Sequence, residues 1–149
     1  MRKILFTNTD GSLSLVHPVC NTIGETLTTD AEIEQRAWNK LPVDAINPVF
    51  VDKSVIPTDR TFRNAWEHGG DSVIQNITKA KNIAHNKRRQ ARSAEFAPLD
   101  IKATIPSEAA AAEAARQAVR DKYAAMQTAI DAATTTEQIK AAMPKEVTT

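Results

Sequence analysis

The sequence predicts an α+β fold. A small N-terminal antiparallel β-sheet module with short helices occupies residues 1–75, and long α-helices, as a helical hairpin or extended, occupy 76–149. Three observations carry this. The first half orders its apolar residues as strand, strand, helix, strand. The pattern changes after Gly69-Gly70. Alanine is concentrated late, in "SEAAAAEAARQAVRDKYAAMQTAIDAA". At 149 residues the chain is long enough for one domain and a modest core.

"KILFTNTDGSLSLVHPV" reads as a hairpin. Ile4 and Phe6 share one face of its first strand. Asp10-Gly11 is a turn pair that tolerates positive φ, and Leu13 and Leu15 alternate on the return strand. Pro18 ends the pairing. In "TTDAEIEQRAWNKLP", Thr29 and Glu32 form a capping box. Ile33, Ala37 and Leu41 follow at i, i+4, i+8 beside Trp38, so a short amphipathic helix runs to Pro42. "NPVFVDKSVIP" supplies a third strand, with Phe50 and Val55 in the core. In "VIPTDRTFRNAW", Thr58 or Asp59 caps a short helix. That helix puts Phe62 and Trp66 on one face at i, i+4, and pairs Arg63 with Glu67 on another. Gly69 or Gly70 fits its C-terminal cap, and "DSVIQ" completes the sheet as an edge strand.

The second half predicts helices at about 77–97, 107–133 and 136–143. Asn76 caps the first, Ile77, Ala80, Ala84, Ala91 and Ala94 line it thinly, and Pro98 breaks it. "LDIKATIP" then reads as a linker. Ser107 caps the second helix, whose seam is Val119, Tyr123, Met126 and Ile130 at spacings of 4, 3 and 4. Thr135, with Gln138 three residues on, caps the last helix, and Pro144 ends it. Alanine seams bury little area, so these helices are expected to need partners from the β module, sister chains or a larger assembly.

Composition narrows the function classes. The formal net charge of +1 gives no global field towards nucleic acid or membrane. The charges are unevenly placed: seven basic and nine acidic residues in 1–70, seven and three in 71–106, five and six in 107–149. No apolar run nears the roughly 18 residues of a membrane span, and "ILF" is too short for a signal peptide's apolar region. Cys20 is alone, so an intrachain disulfide has no second partner. His17 and Cys20 have a metal-like spacing, but a closed zinc site needs about four ligands, and only His68 and His85 remain to join them. The four glycines make no phosphate loop, and no GxSxG elbow occurs. Glu32 and Glu34 read as a solvated helix face. The expectation is a non-enzyme with no catalytic, cofactor-binding or metal-binding residues.

Three features remain as candidate partner surfaces. In "HNKRRQAR", Lys87, Arg88, Arg89 and Arg92 cluster on the first long helix. The run reads as a solvated face or a contact for an acidic protein surface; with no interleaved aromatics to stack bases, direct nucleic-acid contact is the weaker reading. In "VIPTDRTFRNAW", Phe62 and Trp66 read as a structural plug against the sheet, with Arg60 and Arg63 pointing outward. The other reading makes the block a partner anchor, since Trp and Arg are enriched at interface hot spots. The seam Val119–Tyr123–Met126–Ile130 is the third expected contact with other chains.

"MRKILFTNTDGSLSLVHP", "VIPTDRTFRNAW", "ITKAKNIAHNKRRQAR" and "AATTTEQIKAAMP" resemble a family of small tailed-bacteriophage proteins, often encoded in the structural or tail-fibre region of phage and prophage genomes. The resemblance covers most of the chain. It is strongest at 1–16, 55–66 and 76–100, and the block around Asp59, Arg60, Phe62, Arg63 and Trp66 is its most specific signature. The acidic residue that usually opens the long helix is Asn76 here. What the resemblance implies is a virion structural or accessory protein without catalytic residues. Its expected partners are other virion proteins and further copies of itself, tail-associated and assembled in the bacterial cytoplasm. A tail-fibre assembly chaperone absent from the finished particle, and a head decoration or connector protein, are the alternatives.

Overall fold

The computed structural model describes residues 1–19 and 29–145. The protein is α+β, with a small antiparallel sheet followed by long helices. It divides into two compact units, 1–76 and 77–149.

In the first unit, β1 (Lys3–Thr7), β2 (Leu13–Val16) and β3 (Ile46–Val51) form an antiparallel sheet in the order β2-β1-β3. Ile4 lies opposite Val16 on one side and Phe50 on the other. Gly11 takes the turn's positive φ of 78°, while the Asp10 carboxylate accepts the Ser12 N–H at 2.8 Å. Central position makes β1 the core. Ile4 and Phe6 are buried as the alternation requires, and Leu5, on the opposite face, is fully buried too. Asn47 adopts a φ of 51° beside the register shift opposite Leu5 and Thr7. Asn is among the few non-glycine residues that enter this region readily.

Helix α1 (Asp30–Asn39) starts at the Thr29–Glu32 capping box, with both reciprocal bonds formed. It joins the sheet through Trp38, which stacks on Phe50 at 4.7 Å between ring centroids. Glu34 corrects the sequence reading: it is buried rather than solvated, because the Arg2 backbone and guanidinium N–H groups supply the bonds that water would give. The third strand is also shorter than expected. It stops at Val51, and Asp52 caps a 3₁₀ turn over Lys53–Val55, so Val55 is half-buried beyond the sheet.

The predicted helix around Phe62 and Trp66 is absent. Asp59 accepts the backbone and hydroxyl hydrogens of Thr61, closing a tight turn, and a 3₁₀ turn at Arg63–Ala65 runs directly into β4 (Trp66–His68). Strand β4 pairs with β5 (Val73–Gln75) as a separate two-stranded ribbon, so "DSVIQ" does not extend the main sheet. Gly69 turns the ribbon; a Cβ there would lie 2.8 Å from Ile74 Cγ2, too close for any other residue without a shift.

The second unit is a helical hairpin, α2 (Ile77–Ala103) and α3 (Ala109–Ala132), closed by α4 (Thr136–Ala142) against both. Helix α2 does not break at Pro98. Proline cannot bond the Ala94 carbonyl, but both positions are exposed, so water can serve that oxygen. The turn beyond Pro98 carries an ion pair from Asp100 to Arg116 at 3.2 Å, partly exposed and so a small contribution beside the packing of α2 on α3. The predicted linker is therefore mostly helix. Ser107 is not the cap of α3 either; Glu108 occupies that position without a side-chain bond. Thr135 caps α4 with the full box to Gln138. The core of this unit is Tyr123, Ile130, Ala133, Ile139 and Met143, with Ala80 and Ala84 admitting close helix approach.

Candidate functional site

The "DRTFRNAW" block places its aromatic and basic residues differently. Phe62 and Trp66 are each 4% exposed, one before the 3₁₀ turn and one at the start of β4. A tight turn into a strand thus buries both rings without a helix. Arg60 and Arg63 are exposed, and their side chains make no ion pair among the described residues. The helical geometry that would pair Arg63 with Glu67 is missing, and Glu67 accepts the Asn76 side-chain amide at 2.9 Å. His17 feels this basic neighbourhood. Partial desolvation of its ring, then the charges of Lys3, Arg60, Arg63 and Lys53, lower its pKa. His17 is exposed, so the cation field is the part with physical weight.

Two buried donors lie on β4. Trp66 Nε1 and His68 Nε2 have no hydrogen-bond partner among the described residues. His68 Nδ1 faces the Gly70 N–H at 3.1 Å and accepts from it, which leaves the proton of a neutral ring on Nε2.

The basic run on α2 is divided by helical geometry. Lys81, His85 and Arg88 turn towards α3. Lys81 donates to the Asp131 carbonyl at 2.7 Å, His85 meets the Asp131 carboxylate at 2.9 Å, and the half-buried Arg88 reaches the Tyr123 carbonyl at 3.4 Å. Arg88, expected on a partner surface, is thus half-buried, with one long bond inside the unit and an Nε that has no hydrogen-bond partner among the described residues. Arg89 and Arg92 stay exposed. Among the described residues Arg89 bonds the neighbouring Asn86 amide oxygen alone, and Arg92 lies over the Phe96 ring at 5.0 Å.

Arg89 and Arg92 form one wall of a groove of about 490 Å³. Its floor is Phe96, and its other wall is Arg116 and Arg120 of α3. Arg116 approaches the same ring at 6.0 Å while donating to Glu113 and forming an ion pair with Asp100, and Arg120 donates to Glu113 at 2.9 Å. The Arg120 bond, foremost, holds the Glu113 carboxyl below its ordinary pKa. Phe96, Arg116 and Arg120 were not candidate residues from the sequence. Their convergence depends on the register of α2 against α3, which neither helix encodes alone.

The α3 seam is only partly available to other chains. Tyr123 is 1% exposed and Ile130 fully buried, because α2 and α4 pack against that face, so the expected partner contact at these two residues is corrected. Val119 is half-buried, and Met126 lines a second hollow of about 680 Å³ with Ala91, Ala94, Ala125, Ala129 and Met143. At the hollow's edge the Tyr123 hydroxyl donates to Glu95 at 2.7 Å, and Lys122 meets the same carboxylate at 2.6 Å. Lys122 and Tyr123 depress the Glu95 pKa, while burial and Glu95 push the Tyr123 phenol up to about 12.

Among the described residues no group of three or more His, Cys, Asp or Glu side chains is placed to hold a metal ion, and no helix is long and apolar enough to cross a membrane. Cys20, paired by sequence spacing with His17, lies outside the described residues. Compared with known proteins, the chain matches no family model, no curated protein and no solved structure.

Proposed function

We propose that this chain is a non-enzymatic structural component of a tailed-bacteriophage particle, tail-associated, and that it works through protein–protein contacts with other virion proteins and with further copies of itself. The observation that carries the reading is the resemblance of four separated segments, above all the block from Asp59 to Trp66. The geometry supports a contact role. Arg60 and Arg63 on the first unit, and Arg89 and Arg92 on the second, are exposed guanidinium groups without ion pairs among the described residues. Exposed arginines without ion pairs are apt anchors for a partner's carboxylates.

Quantitative mass spectrometry of purified particles tests the assignment. A fixed stoichiometry against the major tail protein supports a structural role. Abundance in infected-cell lysate with absence from particles assigns the chain instead to assembly, as a chaperone. Recovery with tail-less heads makes it a decoration or connector protein.

A further inference from the structure

We propose that the arginine groove between α2 and α3 is a docking site for an acidic polypeptide segment of a partner protein. This deepens the protein-contact reading above and does not depend on the phage assignment.

The argument starts from charge. The groove gathers Arg89, Arg92, Arg116 and Arg120 around Phe96. The carboxylates beside them, Asp100 and Glu113, are both already engaged by Arg116 and Arg120. Arg89 and Arg92 are the surplus, with no ion pair among the described residues. They stand at i and i+3, so they occupy one face of α2. Arg92 and Arg116 both lie against the Phe96 ring, at 5.0 and 6.0 Å. A guanidinium stacked on a ring keeps its N–H edge open and loses little freedom when a carboxylate arrives, which suits bidentate capture. The groove thus offers one unpaired guanidinium, Arg92, over an aromatic ring, and a second exposed positive charge, Arg89, one turn away.

The number of unpaired cations and the ring decide the kind of anion. A nucleic acid presents a phosphate charge about every 1.7 Å of duplex axis, far more charge than Arg89 and Arg92 can neutralise. A polypeptide spaces its carboxylates along the chain and brings aliphatic side chains that can lie on Phe96. The mixed lining favours the polypeptide.

The test uses the full-length protein and a fluorescein-labelled Glu-Leu-Glu-Glu-Leu-Glu peptide, read by anisotropy at low salt. We expect saturable binding that weakens about tenfold or more in the Arg89→Gln/Arg92→Gln double variant. The Arg60→Gln/Arg63→Gln variant should bind as the wild type does. Unchanged helical circular dichroism would confirm that the fold survives the exposed substitutions. No binding, or equal binding by the Arg89/Arg92 variant, overturns the proposal. So does a labelled DNA duplex that binds more tightly and displaces the peptide, since the groove would then serve phosphate. Because the assay needs no particle, loss of peptide binding in a protein still found in particles removes the groove alone.

Discussion

Arg2 holds Glu34 by three hydrogen bonds, one from its backbone N–H and two from its guanidinium, and so ties the start of β1 to the middle of α1. The same guanidinium lies 4.3 Å from the centre of the Phe50 ring, which Trp38 stacks. Sheet, helix and cation therefore meet at one point.

The Glu34 carboxyl lies below its ordinary pKa, first because of the Arg2 side-chain bonds and then the Arg2 backbone bond. A depressed carboxylate stabilises the fold fully above its unfolded pKa, about 4.3, and that contribution disappears as pH falls through the lower folded value. Glu34→Gln should cost about 1–3 kcal/mol at neutral pH, allowing for solvent at the exposed Arg2 end. The variant should also lose less stability than wild type on acidification below about pH 4. Urea unfolding at several pH values checks both. Parallel pH profiles would contradict the assignment.

Trp66 and Arg63 are three residues apart and should behave oppositely. Trp66→Ala empties a buried site and should cost about 3–5 kcal/mol, enough to unfold much of the first unit. Arg63→Ala should change stability by no more than about 0.5 kcal/mol, since the side chain is exposed. Trp66→Phe keeps an aromatic ring and removes an indole N–H that has no partner among the described residues. It should cost much less than Trp66→Ala. Denaturant midpoints of the three variants decide the matter.

Tyr123 is the chain's only tyrosine, so alkaline absorbance titration reads it alone. Its phenol should ionise near pH 12 rather than 10. Burial is the larger cause, so Glu95→Gln should lower the value only in part. A raised folded pKa favours the neutral phenol. Its contribution to stability is complete below about pH 10 and is lost as pH rises through the folded value. A midpoint near 10 in the folded protein would show that the phenol is not buried.

Pro98 should be a point of weakness that can be repaired. Pro98→Ala restores an N–H towards the exposed Ala94 carbonyl and removes a helix-interior proline. It should stabilise the second unit by about 1–2 kcal/mol, once the freer unfolded chain is set against the roughly 3 kcal/mol helix preference. Loss of stability on this substitution would mean that the proline ring itself packs usefully.

What the sequence made legible was local. The Gly11 turn and the two capping boxes depend on residues within four positions of one another, and all three formed. The Phe62–Trp66 spacing was read as a helix because i and i+4 fit one helical face. Two residues define no period, and a 3₁₀ turn running into β4 buries both rings as well. Pro98 misled because a proline is a local signal, while the packing of α2 against α3 comes from another element. The groove around Phe96 was illegible for a related reason. Which arginines of α2 face α3 is set by how the hairpin closes on Tyr123, Ile130 and the small residues opposite them.

The placement of the aromatic residues also gives the protein separate optical reporters. Trp38 and Trp66, the only tryptophans, both lie in the first unit, and Tyr123 lies in the second. Intrinsic tryptophan fluorescence therefore follows the sheet module directly, while far-ultraviolet ellipticity is dominated by α2, α3 and α4. A single chemical-denaturation series recorded in both signals reads the cooperativity of the whole chain without any label. Coincident curves mean the two units unfold as one, and separated curves give each its own free energy.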